Sequence, residues 1–158
     1  MHLRAHPLTS EAFAPYGEVL TPPQDPGRSY FEDALANARP GARPSLSLSH
    51  RAPLDQPVLV SDLLERHEFS SQSFVPLDVS RWLIVVCPHA PAGGPDAAKA
   101  IAFVAGPGQG VTYRANTWHH GLTVLDRAAR FAVFMWRDGG PDDEEFVKVS
   151  PFTVTVDG

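Results

Sequence analysis

The sequence predicts an all-β domain, a closed barrel or double-stranded jelly roll of about ten strands with one short N-terminal helix. Three observations carry that reading. The chain has 158 residues, 43% of them hydrophobic, which suits a single domain over 1–158 with a core of its own. Its 16 prolines and 12 glycines fall between short apolar runs, which favours turn-linked strands over a helix bundle. Ser45-Leu46-Ser47-Leu48-Ser49 alternates polar and apolar with the two-residue period of a half-buried strand.

Leu8 to Gly17 reads as the one short helix, with Thr9 or Ser10 to cap it, Ala12 and Phe13 as its apolar face and Gly17 where a helix stops. Glu18-Val19-Leu20 follows as a brief strand. Residues 21–44 are rich in Pro, Gly, Arg and Ala without steady periodicity. They read as a long excursion with one helical turn at Phe31 to Ala38. From residue 45 the chain is strand-like. After 45–49 come Val58 to Val60, Ser73 to Val75, Trp82 to Val86, Ile101 to Ala105, Gly110 to Tyr113, Leu122 to Leu125, Arg130 to Trp136, Glu145 to Val149 and Phe152 to Val156. Turn clusters such as Gly106-Pro107-Gly108 and Asp138-Gly139-Gly140-Pro141 separate them.

Composition excludes several classes of function. The charge of 13 − 18 = −5 and the lack of a basic stretch argue against nucleic acid or an anionic membrane as partner. Small anionic metabolites are compatible, because a single Arg can recognise a carboxylate. Cys87 is the only cysteine, so there is no internal disulfide; ending an apolar run, it reads as a small core residue. The N-terminus lacks a signal-peptide core and the longest apolar run, Trp82 to Cys87, is far too short to span a bilayer, so a soluble cytoplasmic protein is expected. There is no Gly-x-Ser-x-Gly elbow. Gly106-Pro107-Gly108-Gln109-Gly110 lacks the Lys-Ser/Thr of a phosphate loop and reads as a tight turn.

Two stretches carry chemistry. His119 and His120 are adjacent, and on a strand neighbouring side chains point to opposite faces, so one of the two enters a barrel lumen while the other faces out or ties down a loop. Glu65, His67 and Gln72 stand at i, i+2 and i+7. On one strand Glu65 and His67 share a face, and Gln72 returns to it after a turn. Barrel enzymes of the cupin superfamily carry His-x-His, Glu five residues on, and another His on a later strand. The same offsets are filled here by Glu65, His67 and Gln72, with His119 or His120 as the distant fourth. Carboxylate, imidazole and amide all ligate divalent ions such as Ni²⁺, Mn²⁺ or Zn²⁺.

Glu65-Arg66-His67, Gln72-Ser73-Phe74-Val75-Pro76 and Gly108-Gln109-Gly110-Val111-x-Tyr113-x-x-Asn116-x-Trp118-His119-His120 resemble the hallmark segments of the ureidoglycolate lyase family. Weaker similarity covers Leu8 to Leu20, Ser47 to Pro57 with Arg51, and Trp82 to Val86, so that the likeness extends over most of the chain. Departures fall at 29–44, where the family has an Asn-rich segment, at Arg114-Ala115 in place of His-Arg, and at Gly121 in place of Pro.

The resemblance implies a cupin-like β-barrel, often homodimeric, that splits (S)-ureidoglycolate into glyoxylate and urea in purine (allantoin) degradation with nickel or another divalent ion. It implies His67, Gln72, Glu65 and His120 or His119 as metal ligands, His119 or His120 as the base, and Tyr113 and Asn116 as hydrogen-bond donors to the ureido group. Asn116, Arg51, Arg114 and Trp118 would contact substrate, Arg51 or Arg114 by a two-point pair with the carboxylate and Trp118 as a cavity wall. The apolar run Phe131 to Trp136 is available to core or to a partner subunit. Two further readings stay open: a non-catalytic cupin that senses a small acid, and an enzyme of the same scaffold acting on another hydroxy or ureido acid.

Overall fold

The computed structural model describes residues 1–158. Its elements are β1 (His2–Arg4), β2 (His6–Pro7), α1 (Ser10–Phe13), β3 (Gly17–Leu20), β4 (Arg43–Arg51), β5 (Leu59–Arg66), β6 (Gln72–Pro76) and β7 (Arg81–Cys87). They continue with β8 (Ile101–Ala105), β9 (Gly110–Tyr113), β10 (Trp118–His119), β11 (Thr123–Leu125), β12 (Ala129–Arg137) and β13 (Glu145–Thr155).

Two sheets face each other. The larger runs β1-β13-β5-β10-β7-β8-β2, with β11 also on β7, and the smaller runs β3-β9-β6-β12-β4. The N-terminal segment bridges the two ends of the larger sheet: β1 pairs in parallel with β13, and β2, just after it, with β8. A closed sheet leaves no edge there to pair with another chain. The result is the cupin-like, nearly all-β barrel that the turn-rich composition predicts.

Strand β7 shows why its residues form an unbroken apolar run. Trp82, Ile84 and Val86 pack into the cluster between the sheets with Phe74, Phe103, Val111 and Phe131. Leu83, Val85 and Cys87 alternate with them into a second cluster around Trp118, Leu64 and Phe152. A strand buried on both faces loses the polar alternation of a half-buried one. Helix α1 is shorter than the expected Leu8–Gly17, lasting four residues; Thr9 caps it by accepting from the Ala12 amide, and Phe13 is fully buried.

The expected helical turn at Phe31 to Ala38 is absent. This segment is instead tied to neighbours by tertiary hydrogen bonds: the Ala34 amide donates to Glu18, the Ala36 amide to Ser71 Oγ and the Ala38 amide to the Phe69 carbonyl. Those bonds satisfy amides that a lone turn would leave to water. Strand β13 joins the two expected segments Glu145–Val149 and Phe152–Val156, with a register shift between Lys148 and Phe152 around Pro151, which cannot donate to the ladder. The chain has no helix long and apolar enough to cross a membrane.

Phe131 is fully buried edge-to-face against Trp82 at 5.2 Å. Phe131→Ala is therefore expected to cost about 3–5 kcal/mol, read by denaturant unfolding. Asp126 accepts two 2.8 Å bonds from Arg81, and these hold its carboxyl down at about 2. A depressed folded value adds stability above the unfolded value near 3.9 and loses it as pH falls through the folded one. Asp126→Asn should thus lower stability by about 0.2–1 kcal/mol at pH 7, and the gap from wild type should close between about pH 4 and pH 2 in thermal melts.

Candidate active site

Strand alternation divides the chemistry-bearing residues between two faces. His119 on β10 pairs with Glu65 on β5 and Val86 on β7, so its side chain shares their inward face. Trp118 pairs with Cys87 and is fully buried in the second cluster. His67 follows β5 and meets the pair from the turn. Side-chain atoms of Glu65, His67 and His119 lie within 4.8 Å of one another. Gln72, the first residue of β6, and His67 line one wall of a cavity of about 240 Å³.

Hydrogen bonds determine which atoms face inward. His67 Nδ1 donates to the Asp143 carbonyl at 2.9 Å, and His119 Nδ1 donates to the Thr117 carbonyl at 2.9 Å. Nε2 is then the inward-facing atom of each ring, and both Nε2 atoms are buried without a partner. The Gln72 amide turns its nitrogen to Met135 Sδ at 3.8 Å, leaving buried Oε1 unpartnered as well.

Burial holds the His119 imidazole down at about 3, with the neighbouring His67 and His120 acting in the same sense. A neutral imidazole 3.7 Å from a carboxylate is no ion pair. Two electron-pair donors face each other there, which is unfavourable unless a proton or a cation lies between them. Burial also raises the Glu65 carboxyl, against the opposing pull of His67 and Arg51. Nitrogen and oxygen donors whose outer ring nitrogens are anchored on backbone carbonyls form the arrangement that a divalent metal requires. The residues present fit such an ion.

Tyr113, almost wholly buried on β9, stacks on the His119 ring at 4.2 Å and 14°. Burial and the charge of Glu65 raise its phenol far up, so the hydroxyl stays protonated.

Other sequence-derived residues lie elsewhere. His120 is not in the cluster. Its Nδ1 faces the Gly121 carbonyl at 3.0 Å, its Nε2 accepts from Ser61 Oγ at 3.0 Å, and its ring meets Phe152 edge-on. Arg51 lines a second cavity of about 200 Å³ with Leu63, Glu65, His120 and Phe146. Asn116 is structural in its contacts: at φ +68° its amide donates to the His67 carbonyl at 2.7 Å and its Oδ1 accepts from Arg66 at 2.6 Å. Trp118 has no exposed surface to offer a cavity; Arg66 stacks 4.8 Å over its ring, and its indole donates to His89. Arg114 reaches the Ala14 carbonyl, beside Tyr16 and His89 and apart from the cavity at His67.

Several lining residues carried no sequence signal. Arg39, bonded to Asp138 at 2.7 Å and 3.6 Å from Asp143, comes from the irregular excursion. Asp143 follows a glycine turn, yet its side chain anchors the Phe69 amide while its carbonyl orients His67. Ser45 and Ser47 stood in plain view, but in an alternation that suggested the leucines would be inside.

A jelly-roll barrel that gathers two imidazoles and a carboxylate beside a polar cavity falls in the cupin-like class. Comparison with known proteins narrows the class to a family. The model of the family described as ureidoglycolate lyase matches residues 1–155. A protein of Agrobacterium fabrum is 40% identical over 153 residues, spanning 96% of this chain and 94% of its own. Ureidoglycolate lyases of Mesorhizobium japonicum and Schizosaccharomyces pombe are 37% and 31% identical; the first spans 91% of both chains, the second 89% of this chain and 87% of its own. This chain belongs to the ureidoglycolate lyase family.

His67→Ala should abolish tight Ni²⁺ or Mn²⁺ binding in calorimetry, because it removes one of two anchored imidazoles. His120→Ala should leave that affinity within about threefold, since its ring is committed to Ser61 and Phe152.

Proposed function

We propose that this protein is a ureidoglycolate lyase, releasing urea and glyoxylate from (S)-ureidoglycolate at the Glu65–His67–His119 cluster. The observation that carries the reading is the convergence of those three side chains, with both imidazole Nε2 atoms turned inward and without protein partners. Family membership supports the substrate class.

Glu65, His67 and His119, with Gln72 as the fourth, are the residues that would hold a divalent ion, Ni²⁺ among those suited to such donors. When bound, the ion supplies Lewis-acid polarisation of the substrate's hydroxyl and carboxylate oxygens. His119 then serves as a ligand; with its Nδ1 committed to Thr117 and its basicity suppressed by burial, it has no proton-accepting atom to spare. The base is Glu65. Its carboxylate has two oxygens, so one can hold the ion while the other accepts a proton. It takes the proton of the hydroxyl as the C–O bond becomes a carbonyl and the C–N bond breaks. The departing nitrogen takes up the electron pair and recovers that proton, leaving as urea with glyoxylate behind. Tyr113, protonated and stacked on His119, fixes the imidazole plane. Arg51, in the cavity on the Glu65 side and without an ion-pair partner, is the substrate carboxylate's partner.

We also propose a homodimer built on the smaller sheet. Its outer face exposes Leu46 at 72% and Leu48 at 75%, beside Val75, Phe134 and Trp136, and its edge strand β4 has nine residues with one side unpaired. The apolar run on β12 thus divides its duties, Phe131 and Val133 inward and Phe134 and Trp136 outward. A second copy would cover such a face and edge. The buried, free Cys87 accords with a reducing, cytoplasmic setting.

Purified protein should release urea and glyoxylate in equal amounts from ureidoglycolate and lose the activity on complete chelation; no release would sink the lyase reading. Glu65→Gln should keep measurable ion affinity yet lower turnover by roughly 10²–10⁴-fold, the usual worth of positioned proton transfer. Leu48→Glu should shift the mass seen by light scattering from dimer to monomer.

A further inference from the structure

Strand β4 is oriented against its own hydrophobicity. Residues directly opposite across an antiparallel pair share a face. Ser45, Ser47 and Ser49 lie opposite Met135, Val133 and Phe131, and Val133 and Phe131 belong to the core between the sheets. The serines therefore look inward. Leu46 and Leu48, opposite Phe134 and Ala132, look out. A register slip of one residue would exchange the two sets. Within one copy apolar burial would favour that slip, and it is opposed by a second copy over the leucines and by a need for polar groups inside.

Ser45 and Ser47 line the same cavity as His67 and Gln72, and neither hydroxyl is bonded to a protein group. Successive inward residues of a strand stand about 6.7 Å apart. A hydroxyl both donates and accepts, which is what a planar ureido group requires: an acceptor for its N–H groups and a donor for its carbonyl. The other unpartnered atoms of this cavity each offer one sense only: Arg39 Nε donates, while Asp143 Oδ2 and Gln72 Oε1 accept. His67 Nε2 faces Glu65 and His119, and Arg39 Nη1 is engaged by Asp138.

We propose that Ser45 and Ser47 are the residues that recognise the ureido arm of the substrate and so select ureido acids over plain 2-hydroxy acids. The inference rests on the lyase reading for the identity of that substrate. The acid end then lies toward the Glu65–His67–His119 cluster, and the ureido end along the serine wall. A site built around hydrogen bonds to one group rejects analogues lacking it, because its own polar atoms would then be left unpaired.

The test uses metal-loaded protein, with urea and glyoxylate as separate inhibitors that probe the two ends. The Ser45→Ala/Ser47→Ala double variant should raise the KM for ureidoglycolate and the inhibition constant for urea by roughly tenfold or more, a modest hydrogen bond being lost at each position. Inhibition by glyoxylate and affinity for Ni²⁺ should stay as in wild type. Ser49→Ala, the same change on the same strand face but outside the cavity lining, should alter none of these. Urea inhibition unchanged in the double variant overturns the proposal, as does an equal loss of glyoxylate inhibition. If wild-type protein cleaves no ureidoglycolate, the lyase reading falls. Calorimetric urea binding still decides the serines in that case: weaker binding by the double variant supports them, and equal binding overturns them.

Discussion

An imidazole buried with its Nδ1 proton committed to a backbone carbonyl has one remaining polar atom, a lone pair, and must point it somewhere. The barrel contains two such rings, His67 on Asp143 and His119 on Thr117, and points both lone pairs toward Glu65. Electron pairs crowded without donors cost free energy in a medium of low polarity. The sheets tolerate this because their cores are apolar and well packed. Two buried clusters, one on each face of β7, hold the strands that aim the rings. A cation among these atoms would relieve that crowding.

The face behind the site does the aligning. Arg66 lies between Glu65 and His67 in sequence and so points away from them. There it stacks on Trp118, itself the neighbour of His119, and bonds Asn116 and Glu145. Asn116, in the left-handed region that asparagine tolerates better than most residues, returns its amide to the His67 carbonyl. The two segments that supply the ligands are thus clasped at the back while their functional side chains converge at the front. Asn116 and Trp118 matter here as fasteners, a role compatible with their place in the family motif.

Strand β4 shows how one element can serve two masters. Its inner face brings hydroxyls to the cavity, and its outer face leaves leucines for a neighbour. Both follow from the two-residue period of an extended chain, which cannot place serine and leucine on the same side. Exposed leucines are costly in a monomer and ordinary in an interface, where the proposed homodimer would place them.

Much was legible from residues alone. Dense turns and alternating runs determined an all-β barrel, and the two-residue spacing of Glu65 and His67 set both side chains on the side where they meet His119, because strand periodicity converts spacing directly into facing. The same periodicity established that only one of His119 and His120 could enter the lumen. Which one depended on β10 pairing His119 with Val86 and Glu65, a long-range register that local pattern does not encode. Tertiary structure alone decided the rest. It sent Arg114 to the Ala14 carbonyl, buried Trp118, turned β4 inside out and brought Arg39 and Asp143 to the cavity. Those outcomes rest on partners dozens of residues away, whose packing and hydrogen bonds outweigh any local preference.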